Sequence, residues 1–445
     1  MDYKKLASKL LDKAKKAGAT QAEVYLQSAE ELEIEVNKEK MQKLNRSAIK
    51  GVGLRIYVNK KMSFVYSSDF TEKELDKLVE KGVALANEGM EDKFNILPSP
   101  SGTPPKLDIF DAELANIDME KKIDYARELD KLVFEIDPRV ANTRASSYYD
   151  GYGELIIANT NGLMHSLQAS YCGVSTSPVI EDKGLKQVAY YGTAARYYKD
   201  IPPAKEIAEE AVRRASLLIG GEKVRTQKVP VVFDFRVGAS LLRGILSAVN
   251  GERVFRGESF LVDKLEEEIA SELVTVVDDG LVPKGMGSYP VDDEGVVTST
   301  KKVVDKGVLK LYLYDSYTAN KVGTKSTGNA SRGSYSSRPS IGPTNFYLEK
   351  GDKSPQEIIK EVSSGFYVFN TMGGGVNPVT GMYSAGAAGV WIRNGELAEP
   401  VAKVTIAASL FDMLKGIDAI GNDLRFNSRV VSPTYRVKEM TVSGR

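Results

Sequence analysis

The chain has 445 residues, enough for two or three domains with a large core. Its 60 basic side chains balance its 60 acidic ones, so no overall field draws it directly onto nucleic acid or an anionic membrane. A single cysteine, Cys172, excludes an internal disulfide and a cysteine-cluster zinc site, and leads us to expect a reducing, cytoplasmic setting.

Residues 2–17 place Leu6, Leu10 and Ala14 on one helical face among lysines. This predicts the first helix of a domain rather than a signal peptide or a membrane-surface helix. Nowhere do about 18 apolar residues run together, so no spanning helix is expected. Gly18 stops the first helix, and 22–36 reads as strand. Residues 51–67 alternate as a hairpin across Asn59-Lys60. A helix follows from Thr71, with Thr71 and Glu74 spaced as a capping box. The proline-rich stretch 95–106 reads as an exposed connector, and a helix is expected over about 118–134.

Asn161-Gly162 then predicts a two-residue hairpin in which 158 faces 165 and 156 faces 167. That register puts the only histidine, His165, on an apolar face with Leu163, Leu167, Ile156 and Ala158, as a packed residue rather than a catalytic one. A helix over 203–218 closes an N-terminal domain, 1–221, and the polar stretch 222–228 is the expected boundary. The C-terminal domain, 229–445, opens on the buried strand VPVVFDF. The helix VGASLLRGILSAV, 237–249, follows with Leu241, Leu242, Ile245 and Val249 at helical spacing. The expected fold class is α+β in two domains: a mixed helix and antiparallel-sheet N-terminal domain, and a β-rich C-terminal one with few helices.

Two acidic clusters, Asp278-Asp279 and Asp292-Asp293-Glu294, each precede a glycine. Paired carboxylates can hold a divalent ion or act as acid and base, but the spacing matches no ion-binding loop, and solvated turns are the expectation. Residues 300–315 read as a hairpin over Asp305-Lys306-Gly307. The polar loop 323–345 contains Arg332 and Arg338, which suit a peptide carboxylate or another anion if the loop is not simply mobile surface. The strands around 366–369 and 389–392 flank a stretch with glycines 373, 374, 375, 381 and 386. Gly373, Gly374 and Gly375 leave room for another chain to approach, with Asn377, Thr380 and Ser384 beside the gap. A flexible connection between strands is the alternative. No repeat period shows through.

In order, ASELVTVVDDG, YPVDDEG, STGNASR, GGGVNPVTGMYS, GVWIRNGELAEPV and AIGNDL resemble the TldD/PmbA family, also called modulators of DNA gyrase. The likeness extends more weakly over the N-terminal half. The resemblance implies a two-domain α+β protein that dimerises. One branch is a zinc peptidase acting on extended peptides, and the other, PmbA or TldE, is its partner. In the peptidase branch a helix carries His-Glu-x-x-x-His, and a cysteine near the C-terminus completes the site. The corresponding helix here is 237–249, which has no histidine, glutamate or cysteine, and LRFNSRVVSPT, 424–434, has no cysteine.

The chain therefore resembles the PmbA/TldE branch. It is expected to have no catalytic residue, metal or cofactor of its own, a TldD-like peptidase or a second copy as partner, and extended peptide as cargo. Arg332, Arg338, Gly373, Gly374, Gly375, Asn377 and Thr380 are the candidates for touching peptide or partner. The alternatives are a hydrolase using the acidic clusters with a divalent ion, or a regulator that contacts gyrase.

Overall fold

The computed structural model describes residues 2–444. The N-terminal half begins with α1 (Tyr3–Lys16), β1 (Gln21–Asn37), β2 (Lys40–Val58), β3 (Lys61–Ser67) and α2 (Glu72–Glu88). It continues with α3 (Met119–Ile136), β4 (Val140–Asn159), β5 (Met164–Asp182), β6 (Leu185–Val188), β7 (Tyr191–Ala195) and α4 (Ala204–Leu218). The strands form one antiparallel sheet in the order β3-β2-β1-β4-β5-β6, with β7 also on β5.

Period-two alternation decides what each face meets. Along β1, Val24, Leu26, Leu32, Ile34 and Val36 point to the helices: the first two pack with α1 and α2, the other three with α3 and α4. Glu23, Tyr25 and Gln27 point the other way, toward the C-terminal half. There Tyr25, Ile157 and Leu163 pack with Val291. The sheet is thus covered on both faces, by its own helices on one side and by the second half of the chain on the other.

The C-terminal half supplies β8 (Gln227–Phe233), α5 (Phe235–Ala248), α6 (Gly251–Phe255), β9 (Val276–Asp279), β10 (Thr300–Asp305), β11 (Val308–Leu309) and α7 (Ser316–Val322). Then come β12 (Ala330–Ser331), β13 (Ser340–Ile341), β14 (Asn345–Leu348), α8 (Pro355–Lys360), β15 (Ser364–Val376) and β16 (Met382–Arg393). The chain ends with β17 (Glu396–Ser409), α9 (Leu410–Lys415), β18 (Ile417–Ile420), β19 (Val430–Val431) and β20 (Tyr435–Ser443). One sheet runs β17-β16-β15-β8-β20-β18, and because β20 also pairs with β17, five of its strands close on themselves. A second runs β11-β10-β9-β14-β19. Helix α5 lies in the core they share. Its Leu241, Leu242 and Ile245 are buried with Phe233, Phe366 and Phe346, each side chain contributing about 1.5–3 kcal/mol of transfer free energy.

The expected hairpin across Asn59-Lys60 forms, and local details depart from expectation at three places. Asn59 and Lys60 both take positive φ (49° and 65°), as the β2–β3 hairpin requires. The loop after Asn159, however, is longer than a two-residue turn. The Asn159 side chain accepts from Asn161 and Leu163 amides, and Ile157, not Ala158, pairs with His165. That one-residue slip leaves Leu163 and Leu167 with His165 but moves Ile156 and Ala158 to the helix-covered face. The Thr71 capping box does not form: Thr71 makes no side-chain cap, and the Glu74 carboxylate holds Lys77 instead. Only Val308–Leu309 returns along β10 after the Lys306-Gly307 turn, where a strand reaching 315 is expected. The polar stretch 323–345 is ordered, with β12 and β13 paired inside it.

Candidate functional site

Helix α5 starts where the Asp234 side chain accepts from the Arg236 amide. Arg236, Ala239 and Arg243 are spaced three and four apart, so they share one face, opposite the buried Leu241 and Ile245. That face opens into a cleft of about 280 Å³. Tyr149 comes from β4, Tyr190 and Thr193 from around the start of β7, and Arg425, Asn427, Ser428, Val430 and Ser432 from the segment before β20. The Arg236 guanidinium donates to the Gly192 carbonyl at 2.9 Å and lies over the Tyr190 and Tyr191 rings. Arg425 donates to the Tyr191 hydroxyl at 3.2 Å and covers the Phe235 ring. Behind them Arg214 grips Asp234 through two bonds of 3.0 and 2.7 Å. Burial, and then the Arg214 charge, hold the Arg236 guanidinium below its usual range.

The far side of α5 is closed. A methyl group added at Gly244 would meet the Val376 side chain at 2.3 Å, so nothing larger than glycine fits while β15 keeps its place. Val376 belongs to the glycine-rich hairpin. Gly373, Gly374 and Gly375 take φ of 61°, 69° and 137° in a bulge where the β15–β16 register shifts, and a methyl at Gly374 would lie 2.0 Å from the Ser384 carbonyl oxygen. The hairpin's own geometry therefore demands these glycines. Asn377 closes the tip by accepting from the Val379 and Thr380 amides, and Thr380 accepts from the Met382 amide. Met372, Val379 and Met382 are exposed around this tip.

A second cleft, of about 250 Å³, lies between the two halves. Tyr25, Tyr152 and Tyr171 line it from the N-terminal sheet, and Asp292, Asp293, Arg332 and Arg429 from the C-terminal half. A buried ion network crosses here. Glu23 accepts from Arg55 Nε at 3.0 Å and from Arg332, and Arg55 pairs with Glu294 at 2.8 Å. Glu23, Arg55 and Glu294 are 1%, 5% and 1% exposed, so these are desolvated pairs rather than surface ones. Burial opposes the charge on Glu23, but the Arg332 and Arg55 guanidiniums outweigh it and hold the carboxyl below the usual range.

The acidic clusters are buried parts of this architecture, not solvated turns. Asp278 pairs with Lys301 at 3.0 Å and accepts from Asn329 and the Thr344 amide. Asp292 accepts from the Glu294, Val296 and Ala330 amides, and Asp293 from the Arg332 amide and the Tyr25 hydroxyl. Burial pushes the Asp292 and Asp293 carboxyls up. Their oxygens already face protein donors, which leaves them poorly placed to ligate an ion.

Of the residues named from the sequence, Arg332 thus sits in the network between the halves, over the Tyr25 ring. Arg338 is exposed. Gly373, Gly374, Gly375, Asn377 and Thr380 form the hairpin tip beyond α5. Neither cleft is lined by both groups. Sequence reading passed over Arg236, Arg243 and Arg425, although two arginines seven apart on an otherwise apolar helix were the available signal.

A zinc centre does not fit the residues around α5. The charged side chains in its cleft are guanidiniums, which are permanently protonated and donate only. His165 is on β5, hydrogen-bonded to the Gly295 backbone, and its pKa is lowered by burial. Cys172 is buried with its thiol directed at the Ala195 carbonyl.

Known proteins put this arrangement in context. Sequence models of the PmbA/TldA metallopeptidase domain 1, central domain and C-terminal domain match residues 22–86, 112–219 and 226–444. The Metalloprotease PmbA of Escherichia coli O157:H7 is 28% identical over 88% of this chain and 85% of its own length. A Metalloprotease PmbA homolog of Haemophilus influenzae is 26% identical over 100% and 96%. The crystal structure of a putative modulator of DNA gyrase from Bacteroides thetaiotaomicron superposes with a TM-score of 0.92 at 28% identity, covering 100% of both chains. TldE from Thermococcus kodakarensis, at 22% identity and a TM-score of 0.91 over 98% and 99%, shares the fold. These likenesses define a peptidase-related α+β protein. The chain belongs to the PmbA/TldD family.

Proposed function

We propose that this chain is a non-catalytic, PmbA/TldE-like subunit that pairs with a TldD-like zinc peptidase and helps hold unfolded peptide for it. One observation carries the reading: the exposed face of α5 is lined by arginines and its opposite face is packed shut at Gly244. Zinc hydrolysis of an amide needs ligands that hold the ion and leave one position open, and Arg243 and Gly244 supply neither. The rest of the scaffold follows its relatives' fold, which suits a subunit that keeps its shape and surfaces after losing the chemistry.

In this reading the glycine hairpin with Asn377 and Thr380, together with the exposed Arg338, contacts peptide or partner, while Arg332, buried against Glu23, holds the halves beside it. The exposed Met372, Val379 and Met382 give the hairpin an apolar rim for such a contact. A cytoplasmic dimer completes the proposal, and the lone buried thiol suits a reducing compartment. The test mixes the purified chain with a TldD-like peptidase and follows cleavage of an unfolded peptide. Cleavage should rise when this chain is added, and equal cleavage with and without it removes the proposal.

A further inference from the structure

The cleft beside α5 concentrates positive charge, and among the described residues no carboxylate forms an ion pair with the arginines that line it. Arg236, Arg243 and Arg425 line it, and none of its described lining residues is acidic. The nearby carboxylate, Asp234, is already held by Arg214 through two bonds and by the Tyr367 hydroxyl at 3.2 Å. The bonds that Arg236 and Arg425 do make go to a carbonyl and a hydroxyl, leaving most of their N–H groups free for an anion. Two of the three forks are fixed in advance, because Arg236 is stacked on Tyr190 and Tyr191 and Arg425 on Phe235. Such preorganisation removes part of the ordering cost of binding. Arg243, about two helical turns along from Arg236, is exposed and free to close over a ligand.

We propose that this cleft is a carboxylate-binding site, which takes the C-terminal carboxylate of an extended peptide between Arg236, Arg243 and Arg425. Guanidinium forks match a carboxylate or a phosphate equally in geometry. The walls decide between them. Tyr149, Tyr190, Val430 and Val431 offer apolar surface beside the charged forks, and Asn427, Ser428 and Ser432 offer hydrogen bonds. A carboxylate that carries a side chain and a backbone amide uses all of these, whereas a bare inorganic anion uses the forks alone. The choice of peptide as ligand rests on the function proposed above, but the charge arrangement does not.

The experiment uses the full chain without any peptidase. An unstructured peptide labelled at its N-terminus is titrated in two forms, with a free C-terminal carboxylate and with a C-terminal amide. The free acid should bind at least about tenfold more tightly, as charge-assisted fork contacts imply, and the preference should shrink with added salt. Arg243→Gln/Arg425→Gln, both at exposed positions, should abolish the preference while the melting temperature stays put. Equal binding of acid and amide overturns the proposal, as does an undiminished preference in the double variant. Inorganic phosphate binding more tightly than the free-acid peptide also overturns it, by making the cleft a phosphate site. Because no peptidase is present, failure here leaves the subunit reading standing, and failure of the mixing assay leaves this site standing.

Discussion

Glu23→Gln isolates the network that ties the two halves together. In the native protein one carboxylate faces two guanidiniums, while Arg55 has Glu294 as a second partner at 2.8 Å. Removing the Glu23 charge therefore leaves Arg55 paired but strips Arg332 of its one direct ion pair, leaving it only the longer-range attraction of Asp293. Such a loss costs about 3–5 kcal/mol, and the surviving Arg55–Glu294 pair points to the lower end, about 3 kcal/mol. With an unfolding entropy of about 2.1 cal/mol/K per residue over the 445 residues, that is a fall in melting temperature of about 3 °C for one cooperative transition.

Scanning calorimetry at neutral pH reads the shift directly. Acidification gives a second check. The folded Glu23 pKa is depressed, so its contribution is present above the ordinary glutamate value of 4.5 and is lost as pH falls through the folded value. The gap between wild type and Glu23→Gln should narrow in that direction. Glu23→Gln/Arg332→Gln should be less destabilised than the sum of its single variants, since it removes the unpaired charge as well. A Glu23→Gln protein that melts with the wild type, or a gap that widens on acidification, refutes the reasoning.

Three further outcomes are expected. Gly244→Ala should lose about 1–3 kcal/mol of stability in urea titrations, because its methyl meets Val376 at 2.3 Å, and Val376→Ala in the same chain should restore part of it. Cys172, its thiol pushed up to about 12 by burial, should resist a thiol reagent at about pH 8 in the native protein and react fully in guanidinium chloride. The single imidazole resonance, from His165, should titrate with a midpoint below 6.5 because burial disfavours its charge. The neutral imidazole's share of stability is then present above 6.5 and is lost on acidification toward the lower folded value.

What the sequence reveals is set by how far apart the interacting residues are. The helices at 3–16, 72–88 and 119–136 and the Asn59-Lys60 hairpin are written in spacing and turn chemistry within a few residues, so they can be read without tertiary knowledge. The slip at Asn159 is also local, but it depends on a side-chain oxygen capturing two amides, which a dipeptide signal does not encode. The acidic clusters look like surface turns because their partners are distant. Glu294 meets Arg55, and Asp293 meets Tyr25, 268 residues away. Arg332 looks like a free binding group for the same reason, its carboxylate lying 309 residues upstream. The arginine cleft draws on β4, α5 and the segment before β20 together, and only the fold brings those together.

The most direct measurement of the central claim is hydrolysis of a casein-like unfolded substrate by the purified chain alone, with added zinc and again after chelation. The account predicts no cleavage above buffer in either condition and no zinc retained through gel filtration. Cleavage that needs zinc and stops with the chelator would contradict it.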